Sequence, residues 1–546
     1  MKTYTEEKRI RPHILTAAVF WSVIIMMLFN IISVRIFGDK GAGYLSGPLT
    51  LFYLLYVSFV LAVQKAVYAM VRLRARRSQF LNAETNMIKS FRIFVFAGLI
   101  LAIILVTCSY AIADKLFGAS KIYLHIIAIG ASLLFLCGQG VARGYLQGLG
   151  YTKPILIGDM LIAVSSFATG AVISGILYNY GKKVNDLFHG DMYSAIYGAS
   201  GVVIGLFAGS VVGFVQIMIS KALRKKEIEQ IVKNGAPRYL DNKNDVMAGI
   251  RPIIYLYSSP ILMCLVDNIV YTIIEAKNGN DDTMIESYGA FFGRIGALIV
   301  LISLFCCIPF IRSWNRVMAR YERDEYEGVR DRLNKLLRSS VRLIIPVTVF
   351  VFTFMETIQI AIFGKNSELL TGVIHLSSLL ILFLSIGTFL AWLFNHMGKS
   401  LLFIVNLTIA WVVHAVLLVL LVVIFNRGLV GVLIAQEAAI AVFDAVSLFL
   451  LFRMLKYRYD FLKNLGIPVL AAAVSGLILM FMNMLFVNKI GEVLTLIIGG
   501  VVFTIVYMLV LILLRGISTE ELEKIPLGRL FMSFSNRVQH DKYYEE

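Results

Sequence analysis

Residues 141–154 read VARGYLQGLGYTKP, and the fold turns on how this stretch is placed. It lies between two apolar runs, each about 20 residues long, which matches the thickness of a bilayer core. It carries Arg143 and Lys153, three glycines (Gly144, Gly148, Gly150), Gln147, and Pro154 where a helix would begin. A fainter copy, FLAWLFNHMGKSLL, occupies residues 389–402. One such turn is a loop. Two, at matching places in two halves of a hydrophobic chain, point to a duplicated transporter.

The apolar runs continue to both ends of the chain. Of 546 residues 59% are hydrophobic and 16% charged, with mean hydropathy +0.80. Soluble domains are about a quarter charged. Fourteen runs can be drawn: 13–37, 48–71, 91–113, 122–142, 154–177, 192–220, 252–274, 288–311, 343–362, 369–393, 401–425, 430–452, 466–486 and 492–514. Backbone groups in lipid must bond within their own segment, and these runs are too long for barrel strands of about 10 residues. The fold class is therefore an all-α polytopic membrane protein. The first run is too long for a signal-peptide core and lacks a small-residue cleavage site, so it reads as a retained span. The five cysteines, Cys108, Cys137, Cys264, Cys306 and Cys307, all fall in spans without metal-ligand spacing. Buried, inert thiols are expected.

Charge sets the orientation. With the N-terminus inside, 39 of the 51 lysines and arginines fall in cytoplasmic segments and 10 in outside ones. This positive-inside bias puts both termini in the cytoplasm. It also accounts for the net charge of +17 through topology and anionic lipid contact rather than nucleic acid. Three inner loops are long and basic: 72–90, 221–251 and 312–342. The outside loop 275–287 is acidic.

The second basic loop, with Asn234-Gly235-Ala236-Pro237, divides the chain. The expected organisation is a six-helix lobe over 1–222, a linker over 223–250, a second six-helix lobe over 251–453, two extra spans over 454–514 and an amphipathic cytoplasmic tail over 515–546. Residues 74–93 resemble 319–339, and Leu116-Phe117-Gly118 answers Ile362-Phe363-Gly364. An even number of spans per half gives both halves one orientation, hence a pseudo-two-fold axis along the membrane normal. Gly201, Gly205, Gly209 and Gly213 share one helix face and suit close backbone packing. In the tail, Ser518 and Glu521 fit a capping box, and Pro526-Leu527-Gly528 would end that helix.

The 143–150 element, RGYLQGLG, followed by Lys153-Pro154, resembles the fourth-to-fifth-span motif of polysaccharide exporters in the MOP flippase superfamily. Arg35-Ile36-Phe37-Gly38, then Gly43-Tyr44, is similar to the end of that family's first span. The 517–529 tail resembles the branch of stage V sporulation protein B and the MurJ-type lipid II flippases. The chain departs from the family at Gln64-Lys65 and in the degenerate second motif, His396 to Lys399. The resemblance implies two lobes around a cavity lined by spans one, two, seven and eight, and alternating access by lobe rocking. It further implies export of an undecaprenyl-diphosphate-linked glycan precursor across a bacterial cytoplasmic membrane by a monomer, with membrane lipids as partners. It implies no enzyme activity, no cofactor and no metal.

Ionisable residues within spans are costly and face cavities or partners. Arg35, Lys65 and Arg294 fall on three of the four cavity helices and are the candidate diphosphate ligands. Asp267, with His414 at similar height, is a candidate for Na+ or H+ coupling, or a partner for Arg294. Glu356 is a further ion candidate. Glu356, Asp159, Glu437 and Asp444 read first as inter-helix hydrogen-bonding groups. Arg143, Gly144, Gln147 and Gly148 are gating candidates through the motif, and Pro260 is a hinge candidate. The alternatives are a MATE-like drug or cation antiporter, which would want an acidic or apolar cavity, and a membrane-embedded glycosyltransferase or polymerase. The short outside loops carry no acid–base set for the latter.

Overall fold

Apolar runs of this length leave the backbone one way to satisfy itself, and each folds as a helix. The computed structural model describes residues 12–235, 241–308, 317, 320–321, 323, 325–397, 399–456, 460–523 and 528–540, with no strand among them. The long helices of the first part are α1 (Pro12–Tyr56), α2 (Val63–Arg76), α3 (Phe80–Thr107), α4 (Tyr123–Gly148), α5 (Lys153–Phe188) and α6 (Met192–Leu223). Those that follow are α7 (Lys243–Lys277), α8 (Asp281–Ala290), α9 (Ala297–Cys306), α10 (Tyr326–Phe363) and α11 (Leu379–His396). The last are α12 (Ser400–Leu418), α13 (Gly428–Met454), α14 (Ile467–Ile490) and α15 (Glu492–Leu513).

Thirteen helical stretches among the described residues are long and apolar enough to cross a membrane. The chain is thus a multi-pass membrane protein. The count is one below fourteen because spans one and two form a single 57-residue stretch, Phe20–Arg76. At about 1.5 Å per residue this is roughly 85 Å, enough for two crossings. The break between them is one residue, Gly38, with φ 73° and ψ −174°, a backbone region open to glycine alone. The loop expected at 38–47 is helical instead. Gly43 lets α1 approach α8 closely, and that packing overrides glycine's weak helix propensity. The acidic 275–287 loop likewise shrinks to a turn at Asn278–Asn280, since α7 runs to Lys277 and α8 starts at Asp281.

Internal contacts divide the chain into two units. The first comprises Met1–Leu298 with Ser400–Gln436, and the second Ile299–Lys399 with Glu437–Glu546. Contact thus groups α7, α8 and α12 with the first six spans, because α1 and α2 pack on α7 and α8. The repeat-based division at 223–250 is a statement about duplication and has a different boundary.

Within the first unit α5 and α6 pack along their whole length. Gly201 rests on Ser174, Gly205 on Gly170, Gly209 on Ser166 and Gly213 on Ile162, so the glycine face is a packing face. Val67, Val71, Met87, Val141, Tyr145 and Ile155 form a core shared by α2 to α5. There Asp241 is anchored by Arg74, by Asn82 Nδ2 at 3.0 Å and by Asn86 Nδ2 at 2.5 Å, while Lys89 Nζ donates to its carbonyl at 2.5 Å. Ala236 and Pro237 lie outside the described residues.

In the second unit α10, α14 and α15 share a core of Phe354, Leu479, Phe503, Tyr507 and Leu511. The capping box forms between Ser518 and Glu521, both bonds at 3.3 Å. Glu521 then accepts from Arg342 Nη1 at 2.8 Å, which ties the tail to α10. The expected break at Pro526-Leu527 lies outside the described residues, as does Gly398 of the second motif. Cys137, Cys306 and Cys307 are buried, but Cys108 and Cys264 are exposed on the protein surface, contrary to the expectation of five buried thiols. A residue within an apolar span can face outward toward lipid, which span membership does not reveal.

Candidate functional site

The break at Gly38 decides how α1 meets α8. It starts a new helical segment at Asp39, and glycines on both sides bring that segment against α8. A Cβ on Gly43 would strike the Ile285 carbonyl, and one on Gly289 the Asp39 carbonyl. α8 then passes into a π turn at Phe291–Gly296, a device that re-aims side chains. Arg294 in that turn donates Nε to Asp39 Oδ1 at 2.5 Å. Both side chains are under a tenth exposed. Just inward, Asn268 Nδ2 donates to Ser46 Oγ at 2.9 Å, and the Ser58 and Ser258 hydroxyls meet at 2.7 Å. Helices of the first half are therefore laced to α7 and α8 of the second.

The three candidate diphosphate cations do not form one cluster. Arg294 is neutralised by Asp39. Arg35 is exposed on α1, one turn before Asp39. Lys65 is half-buried in α2, with no hydrogen bond or ion pair among the described residues. Asp39 and Lys65 are 26 positions apart on a continuous helical rod, or about 39 Å at 1.5 Å per residue. A diphosphate could meet them only in succession.

A second site is fully buried. His414 Nε2 of α12 lies 2.9 Å from Asp267 Oδ1 of α7, an ion-pair contact whose angle falls short of a hydrogen bond. Gln436 Nε2 of α13 donates to Asp267 Oδ2 at 2.6 Å. Trp411 presents an edge to the His414 ring, centroids 5.9 Å apart, and its Nε1 donates to Ser259 Oγ. Asp267 thus pairs with His414, not with Arg294. A carboxylate beside an imidazole in a dry site can share and pass one proton. α7 runs helical through Pro260, one residue beyond Ser259, where the ring removes one backbone donor. Glu356 belongs to the other unit, half-exposed, with its Oε1 3.4 Å from His375 Nε2.

The motif is a helix-packing device. Gly140, Gly144 and Gly148 seat α4 on the backbone of residues 59–72, beside the π turn Val57–Ala62. Arg143 is buried, ion-paired to Asp159, and donates Nε to Gln64 Oε1 at 2.7 Å. Gln64 Nε2 in turn donates to Gln147 Oε1 at 2.8 Å. Asp39, Gln64 and Gln436 are the partners that sequence reading missed. Gln64 had a signal, since it stood out as a departure beside Lys65. Among the described residues no three His, Cys, Asp or Glu side chains group as metal ligands.

A broken first span, a glycine-seated fourth span and a buried acid–imidazole pair on α7 and α12 sit in a many-helix fold that resembles those of a lipid II flippase and of MATE transporters. Among solved structures, the lipid II flippase MurJ in its inward closed conformation matches with TM-score 0.56 at 15% identity, over 91% of this chain and 97% of that one. An inward-facing multidrug resistance MATE transporter of the MOP superfamily matches with TM-score 0.57 at 14% identity, over 81% and 98%. A MATE structure in complex with MaL6 gives 0.55 at 14%, over 84% and 99%. At such identities the fold is what is shared. No protein-family model matches the chain, and no curated protein sequence does.

Proposed function

We propose that this protein moves an undecaprenyl-diphosphate-linked glycan precursor from the inner to the outer leaflet of a bacterial cytoplasmic membrane, with both termini inside. The observation that carries the reading is Lys65, a half-buried lysine within the membrane stretch that no carboxylate neutralises among the described residues. A cation held that way suits a phosphate-bearing head group. The two duplicated lobes would rock about the site while the lipid tail stays in the bilayer. Asp267 and His414 would supply ion coupling, and Arg294 would become available outside when Asp39 releases it.

A MATE-like antiporter is the second reading, and it is favoured by equal TM-scores to MATE structures. The MurJ match extends over more of this chain, and an unpaired lysine disfavours cationic cargo. The test is depletion in the native cell, followed by identification of the undecaprenyl-linked intermediate that accumulates. If none accumulates, the flippase reading is lost. Lys65→Ala should abolish transport while membrane insertion is retained, and full activity would remove Lys65 from the path.

A further inference from the structure

Two carboxylates of the second unit serve no contact described so far. Glu437 and Asp444 lie on α13, seven residues apart, and so on one helix face. Asp444 is 5% exposed and Glu437 7%. Among the described residues neither Asp444 oxygen has a hydrogen-bond partner, and Glu437 Oε1 has none. Asp444 Oδ1 is pressed against Gly387 of α11, where an added Cβ would lie 2.7 Å from it. Its seat is therefore backbone rather than a donor or a cation.

We propose that Glu437 and Asp444 are two separate proton-binding sites in the interior of α13. An ionised carboxylate in a dry interior with neither cation nor donor is far too costly to persist, so the stable species carries a proton. Along the helix the pair is separated by about 10 Å, too far to clasp one metal ion between them. Each acts alone, and a single carboxyl suits a proton. Few charges face them. α11 has no charged residue before His396, whose side chain lies outside the described residues. The Cys306 and Cys307 thiols of the α9 end lie near Ser385, two residues from Gly387. On α10, Glu356 is engaged by His375, and Arg342 by Glu521. The inference does not depend on what the protein carries.

The test uses the purified full chain in detergent and N,N′-dicyclohexylcarbodiimide, which traps protonated buried carboxyls as stable adducts mapped by mass spectrometry. Adducts are expected on Glu437 and Asp444 at about pH 6, where exposed carboxylates, with ordinary values of about 4, are ionised and stay unlabelled. Asp444→Asn should remove its own adduct and leave that on Glu437. No adduct on either residue in folded protein overturns the proposal. So does labelling that sodium chloride suppresses, which would mark a metal-ion site.

Discussion

Replacing Arg294 by alanine should open the protein where α1 meets α8. The substitution leaves the Asp39 carboxylate buried among α1 and α8 with its ion-pair partner gone. Removing one member of a buried pair costs about 3–5 kcal/mol, because the remaining charge is stranded. At about 1.4 kcal/mol per tenfold, the closed arrangement loses roughly 10²-fold to several thousandfold in population against one that hydrates Asp39. Thr272 reports this state, since it is buried beside Ser46, Asn268 and Tyr288 in the small outer pocket. In a variant lacking the five native cysteines, Thr272→Cys should react slowly with a membrane-impermeant maleimide. Adding Arg294→Ala should speed that reaction by about 100-fold, and the Asp39→Asn/Arg294→Gln pair should return it toward the slow rate. Equal rates in parent and Arg294→Ala would refute the latch. Transport by the double variant separates two roles. Recovery means that Arg294 only holds the gate; loss of transport with the slow rate restored means that it also touches substrate.

Three further outcomes follow from the same contacts. His414→Gln keeps a donor for Asp267 but cannot carry a proton, so transport driven by an imposed proton gradient should be lost; gradient-driven transport that persists would exclude the pair from coupling. Gly144→Ala places a Cβ 2.6 Å from the Gln64 carbonyl and should destabilise by about 1–3 kcal/mol, whereas Gly175→Ala, with nothing within 4 Å, should be neutral or gain about 0.5–1 kcal/mol; thermal midpoints in detergent compare them. Burial would raise the Asp241 carboxyl, but hydrogen bonds from Asn86 and Asn82 and the Arg74 charge outweigh it and hold it below the ordinary aspartate value. Its stabilising contribution is thus present above the unfolded value of about 3.9 and is lost as the pH falls through the lower folded one. Tryptic cleavage at Lys233 and Lys243 should be slow at neutral pH and fast in Asp241→Asn; equal rates would show that the anchor does nothing.

The helical class was legible because span-length apolar runs have no other way to satisfy their backbone. Spacing alone placed the glycine face of α6 and the capping box of the tail. The side-chain partners were not legible. Asp39 and Arg294 are 255 positions apart, and Asp39 counted as a loop residue until Gly38 proved to be the whole break. Counting along helices gave Asp267 and His414 similar heights, which was right as far as it went. Helices apolar all round show no stripe, so height came without azimuth, and Arg294 rather than His414 stood as the candidate partner. The motif was visible as a motif, but its mechanics depend on α2, whose π turn and Gln64 lie about 80 residues upstream and carry no periodic signal.

On the proposed function, the substrate and Asp39 compete for Arg294, and this competition gives the cycle a direction. With the outer end closed, Arg294 is spent on Asp39, and the unpaired cation of the inner stretch is Lys65. A diphosphate entering from inside would therefore meet Lys65 first. Reaching Arg294 requires breaking a buried ion pair, which is affordable only if the anion replaces Asp39 as the partner. An uncharged or cationic cargo offers no such replacement and would leave the latch shut. On that reading anionic cargo fits the pair, and an end that opens as readily without a diphosphate as with one would break that link.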